Sequence, residues 1–256
     1  MKSNKEKIKS ERIGTIIKNI SGFEMKCISY RNSMDIDIEF LESGNIVHNV
    51  QWNNFIRGKV KDSCGKNAEC PISENGKPTK EYLTWYHMLR RCLNTKIKEN
   101  KPTYKDAICC DEWMHFENFY EWIHSQDNFD KWKNLKWSAI DKDILIKGNK
   151  IYSPETCCLV PVSVNNLFVK HDALRGNYPI GVTITKYKKY EAKCTNPLKN
   201  KAVTIGCYDT IDEAFKAYKE YKENLIKEIA DIEYNKGTIT KECRDAMYSY
   251  KVEIND

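Results

Sequence analysis

The stretch IDKDILIKGNKIYSPETCCLVPVSVNN, residues 140–166, places an acidic pair, a Gly-Asn turn and an asparagine-bearing segment in that order. We predict a first strand over Trp137–Asp141, a turn and returning strand over Asn149–Tyr152, and a helix over Ser163–Phe168 whose first residue is the N-cap. Two strands and a short helix cannot bury a hydrophobic core by themselves. Neighbouring helices therefore have to cover them.

This order of residues resembles the HNH, or ββα-metal, nucleases of phages and mobile elements, in the branch written D-H-x-D-G-N, then P-x-N-L, then E-N. In that family a general-base histidine ends one strand, and a metal-ligand asparagine or histidine follows on a short helix. Lysine stands here at the histidine position and threonine at the middle asparagine position. The positions that carry the resemblance are Asp141, Lys142, Asp143, Gly148, Asn149, Thr156 and Asn165.

The lysine changes the chemistry that the resemblance implies. A general base has to accept a proton near neutral pH, whereas a lysine with a pKa of about 10.4 is a cation there. The resemblance still implies one divalent cation, Mg²⁺ or Mn²⁺, held by oxygen ligands from Asp141 and Asn165. Asp143 would be a third ligand or a substitute base, and Lys142 would stabilise charge on the phosphate.

A purely structural interpretation of the same residues stays open. Asp141 and Asp143 can be turn acids, and Asn165 can cap or line a helix. His124 and His171 are the alternative bases nearby in the sequence. Two functions therefore remain: a metal-dependent, homing-type DNA endonuclease, or a catalytically inactive regulator or counter-defence protein that binds DNA or a host protein.

Composition indicates a folded chain with a mild preference for polyanions. Hydrophobic residues make up 41% of the 256 positions and charged residues 30%, unlike a disordered chain. The 42 Lys and Arg exceed the 36 Asp and Glu, which gives a net charge of +6. No apolar run approaches the roughly 18 residues of a spanning helix, and the charged start lacks the apolar segment of a secretion signal. We expect a protein of the bacterial cytoplasm with no membrane partner.

The eleven cysteines are odd in number and include no CxxC pair, which favours reduced thiols in a cytoplasm over disulfides. The adjacent pairs Cys109-Cys110 and Cys157-Cys158 would project to opposite sides of strands, so we expect one core cysteine in each pair. A zinc site that uses Cys64 and Cys70 is disfavoured, because five intervening residues is an unusual spacing for zinc ligands.

A small β module is predicted over residues 1–61. Asp35–Phe40 alternates apolar and acidic residues, which predicts one buried and one wet face. A turn leads into a returning strand at Ile46–Val50, where His48 is expected at the surface, and Glu24–Arg31 supplies a preceding strand. The segment resembles a short module that precedes DNA-binding domains in phage proteins, which implies a scaffold or an auxiliary nucleic-acid contact.

A polar linker and two helices are predicted next. Residues 62–79 are rich in turn formers. Lys80–Leu93 and Asp111–Ser125 space apolar residues by three and four, as helices do, and the second could be capped by its first residue. Arg90 and Arg91 are expected to be solvated, with phosphate contact as the alternative. The two helices resemble the helical prelude to the HNH-like core in the same phage family.

The C-terminal part resembles the plant ethylene-response-factor, or Apetala-two, DNA-binding domain. Alternation in the sequence of residues 182–185 and a helical apolar stripe after Thr210 fit a three-stranded antiparallel sheet packed on one helix. Thr210 and Glu213 form a capping-box signature at the helix start. The matching positions are Gly181-Val182, Tyr190-Glu191-Ala192, Ile205-Gly206-Cys207-Tyr208, Thr210, Glu213-Ala214 and Ala217-Tyr218.

In that family the exposed sheet face enters the major groove of double-stranded DNA. The family's arginines are missing here, and lysine is a flexible point charge, so we expect the sheet to grip the phosphate backbone more than the bases. A module that binds protein is the alternative. The DNA contacts implied by the resemblance are Thr183, Thr185, Lys186, Lys188, Lys189 and Lys193, with Lys147 and Lys150 as phosphate contacts at the HNH-like turn.

The predicted fold class is therefore α+β with several domains. We expect a phage- or mobile-element-type protein whose partner is double-stranded DNA. The predicted divisions are a β-rich module at 1–61, a linker at 62–79, helices plus an HNH-like ββα core at 80–175, an Apetala-two-like domain at 176–235, and a C-terminal helix and tail at 236–256.

Overall fold

The structure is a computed structural model that describes residues 4–62, 70–169 and 178–254. Helices and small antiparallel sheets alternate along the chain, so the expected α+β class is confirmed. No helix of the described residues is long and apolar enough to cross a membrane. The chain divides into two compact units, the first formed by Met1–Ser125 and Lys150–Pro154, and the second by Gln126–Asn149 and Glu155–Asp256.

A four-stranded antiparallel sheet begins the first unit, preceded by helix α1 (Asn4–Arg12) and followed by α2 (Trp52–Ile56). The three strands expected from the alternation of apolar and polar residues are confirmed. The apolar residues of the third strand are fully buried, as predicted, and His48 is exposed. In spatial order the strands are β1 (Ile16–Lys18), β2 (Glu24–Asn32), β3 (Asp35–Phe40) and β4 (Ile46–Val50).

Asp37 departs from the expected wet face of β3, because it is buried. The guanidinium of Arg31 donates to both of its oxygens, at 2.8 Å to Oδ2 and 2.7 Å to Oδ1. The His48 Nδ1 atom lies 3.2 Å from Asp37 Oδ1. A carboxylate can be buried at this position because the arginine fork satisfies it bidentately.

Helices dominate the rest of the first unit: α3 (Lys80–Leu93), α4 (Thr95–Asn100) and α5 (Phe116–Ser125). The predicted bounds of α3 are confirmed, and the Thr79 hydroxyl caps its start. The prediction of one helix from Asp111 was wrong. The Asp111 side chain caps nothing, and a 3-10 turn over Glu112–Met114 precedes α5. The described part of the predicted linker carries a hairpin of β5 (Ser73–Glu74) and β6 (Lys77–Pro78).

The prediction that Asn149–Tyr152 forms the strand that pairs with the first HNH-like strand, Trp137–Asp141, was wrong. The strand found there, β9 (Ile151–Tyr152), pairs in parallel with β7 (Ile108–Cys109) inside the first unit. Tyr152 is buried, and its hydroxyl accepts a hydrogen bond from Arg91 Nη1 at 3.3 Å. Arg91 thus stabilises the position of β9, and it is not the solvated arginine expected from the sequence.

In the second unit, α6 (Phe129–Asn134) leads into a strand–strand–helix arrangement of β8 (Ser138–Asp141), β10 (Cys158–Pro161) and α7 (Val162–Asn165). The two strands are antiparallel, with Asp141 opposite Cys158 and Ser138 opposite Pro161. The short helix α7 packs against both strands. Pro161 is its N-cap residue, so the prediction of Ser163 in that role was wrong.

The C-terminal part of the second unit is a three-stranded antiparallel sheet packed on a long helix, as predicted. The capping box is confirmed, because the Thr210 hydroxyl accepts from Glu213 N and the Glu213 carboxylate accepts from Thr210 N. The elements, with the sheet in spatial order, are β11 (Val182–Ile184), β12 (Tyr190–Asn196), β13 (Lys201–Tyr208), then α8 (Ile211–Asn235) and α9 (Lys241–Ser249).

One hydrophobic core joins the strand–strand–helix arrangement to the C-terminal sheet and helices. Val160 and Val164 belong to the same buried cluster as Val182, Ile229 and Met247. The middle and C-terminal divisions expected from the sequence therefore share a core inside the second unit. Each is incomplete alone, because its apolar side chains are buried against residues of the other.

The described cysteines form no disulfides. Cys157 and Cys158 are both buried, and Cys109 and Cys110 are both half-buried, so the expectation of one core cysteine in each pair was wrong. Of these four residues, only Cys109 in β7 and Cys158 in β10 lie inside strands. Strand alternation therefore does not determine which member of each pair is buried. The disfavoured zinc site includes Cys64, which lies outside the described residues.

Candidate functional site

The acidic pair of the HNH-like segment is occupied by hydrogen bonds within its own turn. Asp141 ends β8 and is 9% exposed, and its Oδ1 accepts from the backbone N–H groups of Asp143 at 2.7 Å and Ile144 at 2.8 Å. Burial raises the pKa of Asp141 above its ordinary value, although these two hydrogen bonds act in the opposite direction. Asp141 therefore fixes the chain reversal after β8.

Lys142, at the position of the nuclease histidine, is 4% exposed. Its ammonium donates to Asp143 Oδ2 and to the carbonyl oxygen of Asn149, both at 2.7 Å. The Asn149 side chain donates back to the Lys142 carbonyl oxygen at 2.9 Å. The lysine thus closes the loop between residues 142 and 149, and its ammonium donates its hydrogen bonds within that loop.

Asn165 is the last residue of α7 and is half-buried. Its helix packs on β8, the strand that ends at Asp141, and on β10. Thr156, at the middle position of the family motif, lies in the loop before β10. Among the described residues, no group of three or more His, Cys, Asp and Glu side chains is arranged to hold a metal ion.

Of the two alternative bases, the structure describes His124. His124 lies on α5 in the first unit, with its Nε2 3.6 Å from Oε1 of the buried Glu81. Its ring packs on Tyr120 with 4.1 Å between centroids. His171 lies outside the described residues. The Glu81–His124 contact was missed at the sequence level, because no local spacing relates residues 43 positions apart.

The lysines predicted at the HNH-like turn have different environments. Lys147 donates to the carbonyl oxygen of Lys251 at 2.7 Å, and its ammonium lies 4.8 Å from the centre of the Tyr250 ring. Lys150 is exposed and belongs to the first unit, just before β9. With Lys142 buried, the predicted basic cluster around this turn is not present as a single exposed group.

The predicted DNA contacts of the C-terminal sheet fall into two groups. Thr183 and Lys193 lie on the exposed face of the strands, together with Glu191. The Lys193 ammonium is 2.6 Å from Glu191 Oε2, and Thr204 Oγ1 is 3.4 Å from the same carboxylate. This pairing leaves the face with little net charge. A face without net charge is a weak binding surface for phosphates.

The second group forms the tip of the β11–β12 hairpin, residues 185–189, which we call the basic tip. Lys186, Lys188 and Lys189 are all exposed. Lys188 has a φ of 60°, which turns the chain tightly, and Thr185 N donates to the Lys189 carbonyl oxygen at 2.8 Å to close the tip. Lys189 also pairs with Asp209. Because Asp209 offsets the charge of Lys189, the net positive charge at the end of the hairpin comes from Lys186 and Lys188.

Tyr187 occupies the centre of the basic tip and was missed at the sequence level. It is 75% exposed, and the Lys186 ammonium lies 4.9 Å from its ring centre. A solvent-exposed aromatic ring among lysines is typical of surfaces that contact nucleic acid, where the ring stacks on a base or enters a groove. The run Lys-Tyr-Lys-Lys at residues 186–189 was the available signal.

No family model, curated protein or solved structure matches this chain. The two family resemblances therefore stay predictions.

Proposed function

We propose that this protein binds double-stranded DNA through the basic tip and does not cut it. The observation that carries the proposal is the grouping of Lys186, Lys188 and Lys189 around the exposed ring of Tyr187. Ammonium groups at one end of a hairpin can reach neighbouring phosphates of a duplex. Phosphate contacts of this kind supply most of the affinity of sequence-independent binding.

The charge distribution favours backbone contact over sequence readout. Lysine presents a point charge, and the bidentate contact to guanine that reads sequence best is made by arginine. The basic tip contains no arginine, and the neighbouring sheet face pairs its Lys193 with Glu191. We therefore expect binding that depends strongly on salt and weakly on sequence.

The contacts of Asp141, Lys142 and Asp143 support a protein that does not cut DNA. A divalent cation needs several oxygen ligands with available lone pairs. One Asp141 oxygen already caps two backbone N–H groups, and an Asp143 oxygen is 2.7 Å from the Lys142 ammonium. A buried ammonium beside the ligands also opposes a second positive charge. These residues do not fit a divalent cation.

The salt dependence of DNA binding tests the role of the basic tip. Fluorescence anisotropy of a labelled duplex of random sequence is measured with the full chain over a series of KCl concentrations. We expect log Kd to rise with log salt with a slope of about 2 to 3, since each neutralised phosphate contributes about 0.9. The triple variant Lys186→Gln, Lys188→Gln, Lys189→Gln should lose most of that slope and bind more weakly.

A matched triple variant removes the same charge elsewhere in the second unit: Lys199→Gln, Lys201→Gln and Lys216→Gln, all at exposed positions. It should bind DNA nearly as the unchanged chain does. Equal weakening by both triple variants would mean that net charge binds the duplex and the basic tip has no special role. Absence of DNA binding would contradict the proposal and favour a host-protein partner.

A metal-dependent endonuclease is the second candidate, and the order of β8, β10 and α7 is the observation that favours it. Supercoiled plasmid is incubated with the protein and Mg²⁺ or Mn²⁺. We expect no nicking. Metal-dependent nicking that disappears in Asp141→Ala, while DNA binding is retained, would contradict the non-cutting proposal and establish the nuclease instead.

A further inference from the structure

A pocket of about 460 Å³ lies in the first unit, between the 3-10 turn over Glu112–Met114, one side of α5 and the loop after β9. Its volume falls within the range of small-molecule sites. Asn118 Nδ2 donates to the Glu112 carbonyl oxygen at 2.9 Å, which ties the turn to the helix. The described lining residues all belong to the first unit, whereas the HNH-like turn and the basic tip belong to the second.

The wall of this pocket is acidic. Glu112 and Glu121 line it, and no lysine or arginine is among the described lining residues. Neither carboxylate has an ion pair within the part of the chain that the structure describes. Residues 111–125 carry four acidic residues and no lysine or arginine, although the whole chain has a net charge of +6. The local charge therefore favours a cation.

Two indole rings form the apolar part of the wall. Trp122 is half-buried, and its ring centre lies 4.5 Å from that of Trp113, with the ring planes tilted by 55°. Trp113 packs edge-on against the fully buried Phe119, with 5.1 Å between centroids. Core packing thus holds the rings in place, which lowers the ordering cost of binding. Indole attracts cations more strongly than the other aromatic side chains do.

Trp113 also brings a hydrogen-bond donor to the pocket. The residue is 1% exposed, and its indole N–H has no acceptor among the described residues. Its backbone carbonyl oxygen, by contrast, accepts from the Trp85 indole at 2.7 Å. A nearly buried N–H without an acceptor is unfavourable. Because Trp113 lines the pocket, an oxygen atom of a ligand would satisfy this donor.

We propose that this pocket binds a small quaternary ammonium cation that also carries an oxygen acceptor. The alkylated ammonium would lie against the Trp122 ring, Glu112 and Glu121 would supply the compensating charge, and the oxygen would accept from Trp113. A divalent metal ion prefers more oxygen ligands than two carboxylates supply. A primary ammonium is strongly hydrated, so it gains less from an aromatic wall than an alkylated one does.

Isothermal titration of the full chain tests this site with three probes and no DNA. Choline carries both parts of the proposed ligand, tetramethylammonium lacks the oxygen, and the neutral isostere of choline has a tert-butyl group in place of trimethylammonium. We expect choline to bind with a Kd below about 1 mM, tetramethylammonium several-fold more weakly, and the neutral isostere at least about tenfold more weakly. Undetectable choline binding, or equal binding of the neutral isostere, would overturn the proposal.

Phosphocholine distinguishes a free cation from a lipid headgroup as the ligand. It carries the same cation with a phosphate attached, and that phosphate would approach the two carboxylates of the wall. We expect it to bind at least about threefold more weakly than choline, which would favour the free cation. Equal or tighter binding of phosphocholine would contradict the role of Glu112 and Glu121 as compensating charges.

Glutamine variants identify the carboxylates. The double variant Glu112→Gln, Glu121→Gln removes both charges at exposed positions, so it should fold normally and bind choline at least about tenfold more weakly. The matched control Glu74→Gln, Glu99→Gln changes two exposed glutamates of the same unit that do not line the pocket, and it should bind choline as the unchanged chain does. Equal binding by the two double variants would overturn the assignment.

Trp122→Leu tests the aromatic wall, because it removes the ring and keeps an apolar side chain. It should weaken choline binding several-fold, whereas Trp122→Phe should retain most of it, and unchanged binding in Trp122→Leu would contradict the role of the ring. Thermal unfolding checks every variant, and the glutamine variants decide the test if Trp122→Leu does not fold. Because the titrations contain no DNA, failure of choline binding leaves the DNA-binding proposal untouched, and failure of DNA binding leaves this one untouched.

Discussion

At the scale of single residues, two charged side chains of this fold are buried and paired with residues close to them in the sequence. Lys142 and Asp37 both occupy positions where the sequence pattern predicts exposure, and both are almost inaccessible. Each is paired with a neighbouring group of opposite charge: Lys142 donates a hydrogen bond to Asp143, and Asp37 accepts one from Arg31. A buried charge is tolerated only when it is paired in this way.

The acid stability of the protein should depend on Asp37. The Arg31 guanidinium holds the pKa of Asp37 well below its usual range. Because this pKa is lowered in the fold, the stabilisation is fully present above the ordinary value of about 3.9 and is lost as the pH falls further. We expect Asp37→Asn to lower the free energy of unfolding by roughly 1 to 3 kcal/mol at pH 7.

Urea unfolding at several pH values measures this effect. The difference between the unchanged chain and Asp37→Asn should shrink below about pH 4, as protons compete with Arg31 for the carboxylate. Asp35→Asn is the matched control, since Asp35 also pairs with Arg31 but is more exposed, and it should have a smaller effect. A difference independent of pH would show that the Asp37 charge does not contribute.

At the scale of elements, long periodic segments were predictable and short ones were not. The sequence patterns of α3, β3 and β4 repeat often enough to set both their type and their bounds. The strands β7 and β9 hold two residues each, too few for any period, and they pair across more than forty positions. The Gly-Asn turn at residues 148–149 therefore suggested a local return, whereas the strand that returns to β8 is β10.

The same limit applies to the candidate site. Residue types along the chain predicted a strand that ends at Asp141 and a short helix near Asn165, but they placed the strand between them at the wrong residues. They also predicted lysines on the C-terminal sheet, without showing that three of them lie at the tip of a hairpin. They did not predict that Asp141 caps its own turn or that the Lys142 ammonium is buried between Asp143 and Asn149. Those properties depend on which side chains the tertiary fold brings beside them, and a single sequence carries little information on such neighbours.

The capping box of α8 should contribute measurably to stability. Thr210→Ala removes the hydroxyl that accepts from Glu213 N, so we expect a loss of about 1 kcal/mol in the free energy of unfolding. Chemical denaturation followed by circular dichroism measures it. Glu213→Gln is the control, because glutamine can fill the same position of a capping box with little loss. Equal stability of Thr210→Ala and the unchanged chain would rule out this contribution.

At the scale of the molecule, the shared core of the second unit decides how the protein unfolds. The strand–strand–helix arrangement and the C-terminal helices bury their side chains in one cluster, so neither is expected to unfold alone. Asn128 reinforces the connection through hydrogen bonds from its Nδ2 to the carbonyl oxygens of Leu159 and Thr238, both at 2.8 Å. One buried amide thus bridges segments about eighty residues apart.

Asn128→Ala should destabilise both segments together. It leaves two carbonyl oxygens without their donor, which predicts a loss of roughly 2 to 4 kcal/mol. Asn134→Ala is the control, because Asn134 is exposed and bonds only within α6, and it should cost less than about 0.5 kcal/mol. In hydrogen exchange, the amides of β10 and α9 should lose protection by the same factor in Asn128→Ala. If only one of these elements exchanged faster, the second unit would have to consist of two independently unfolding parts.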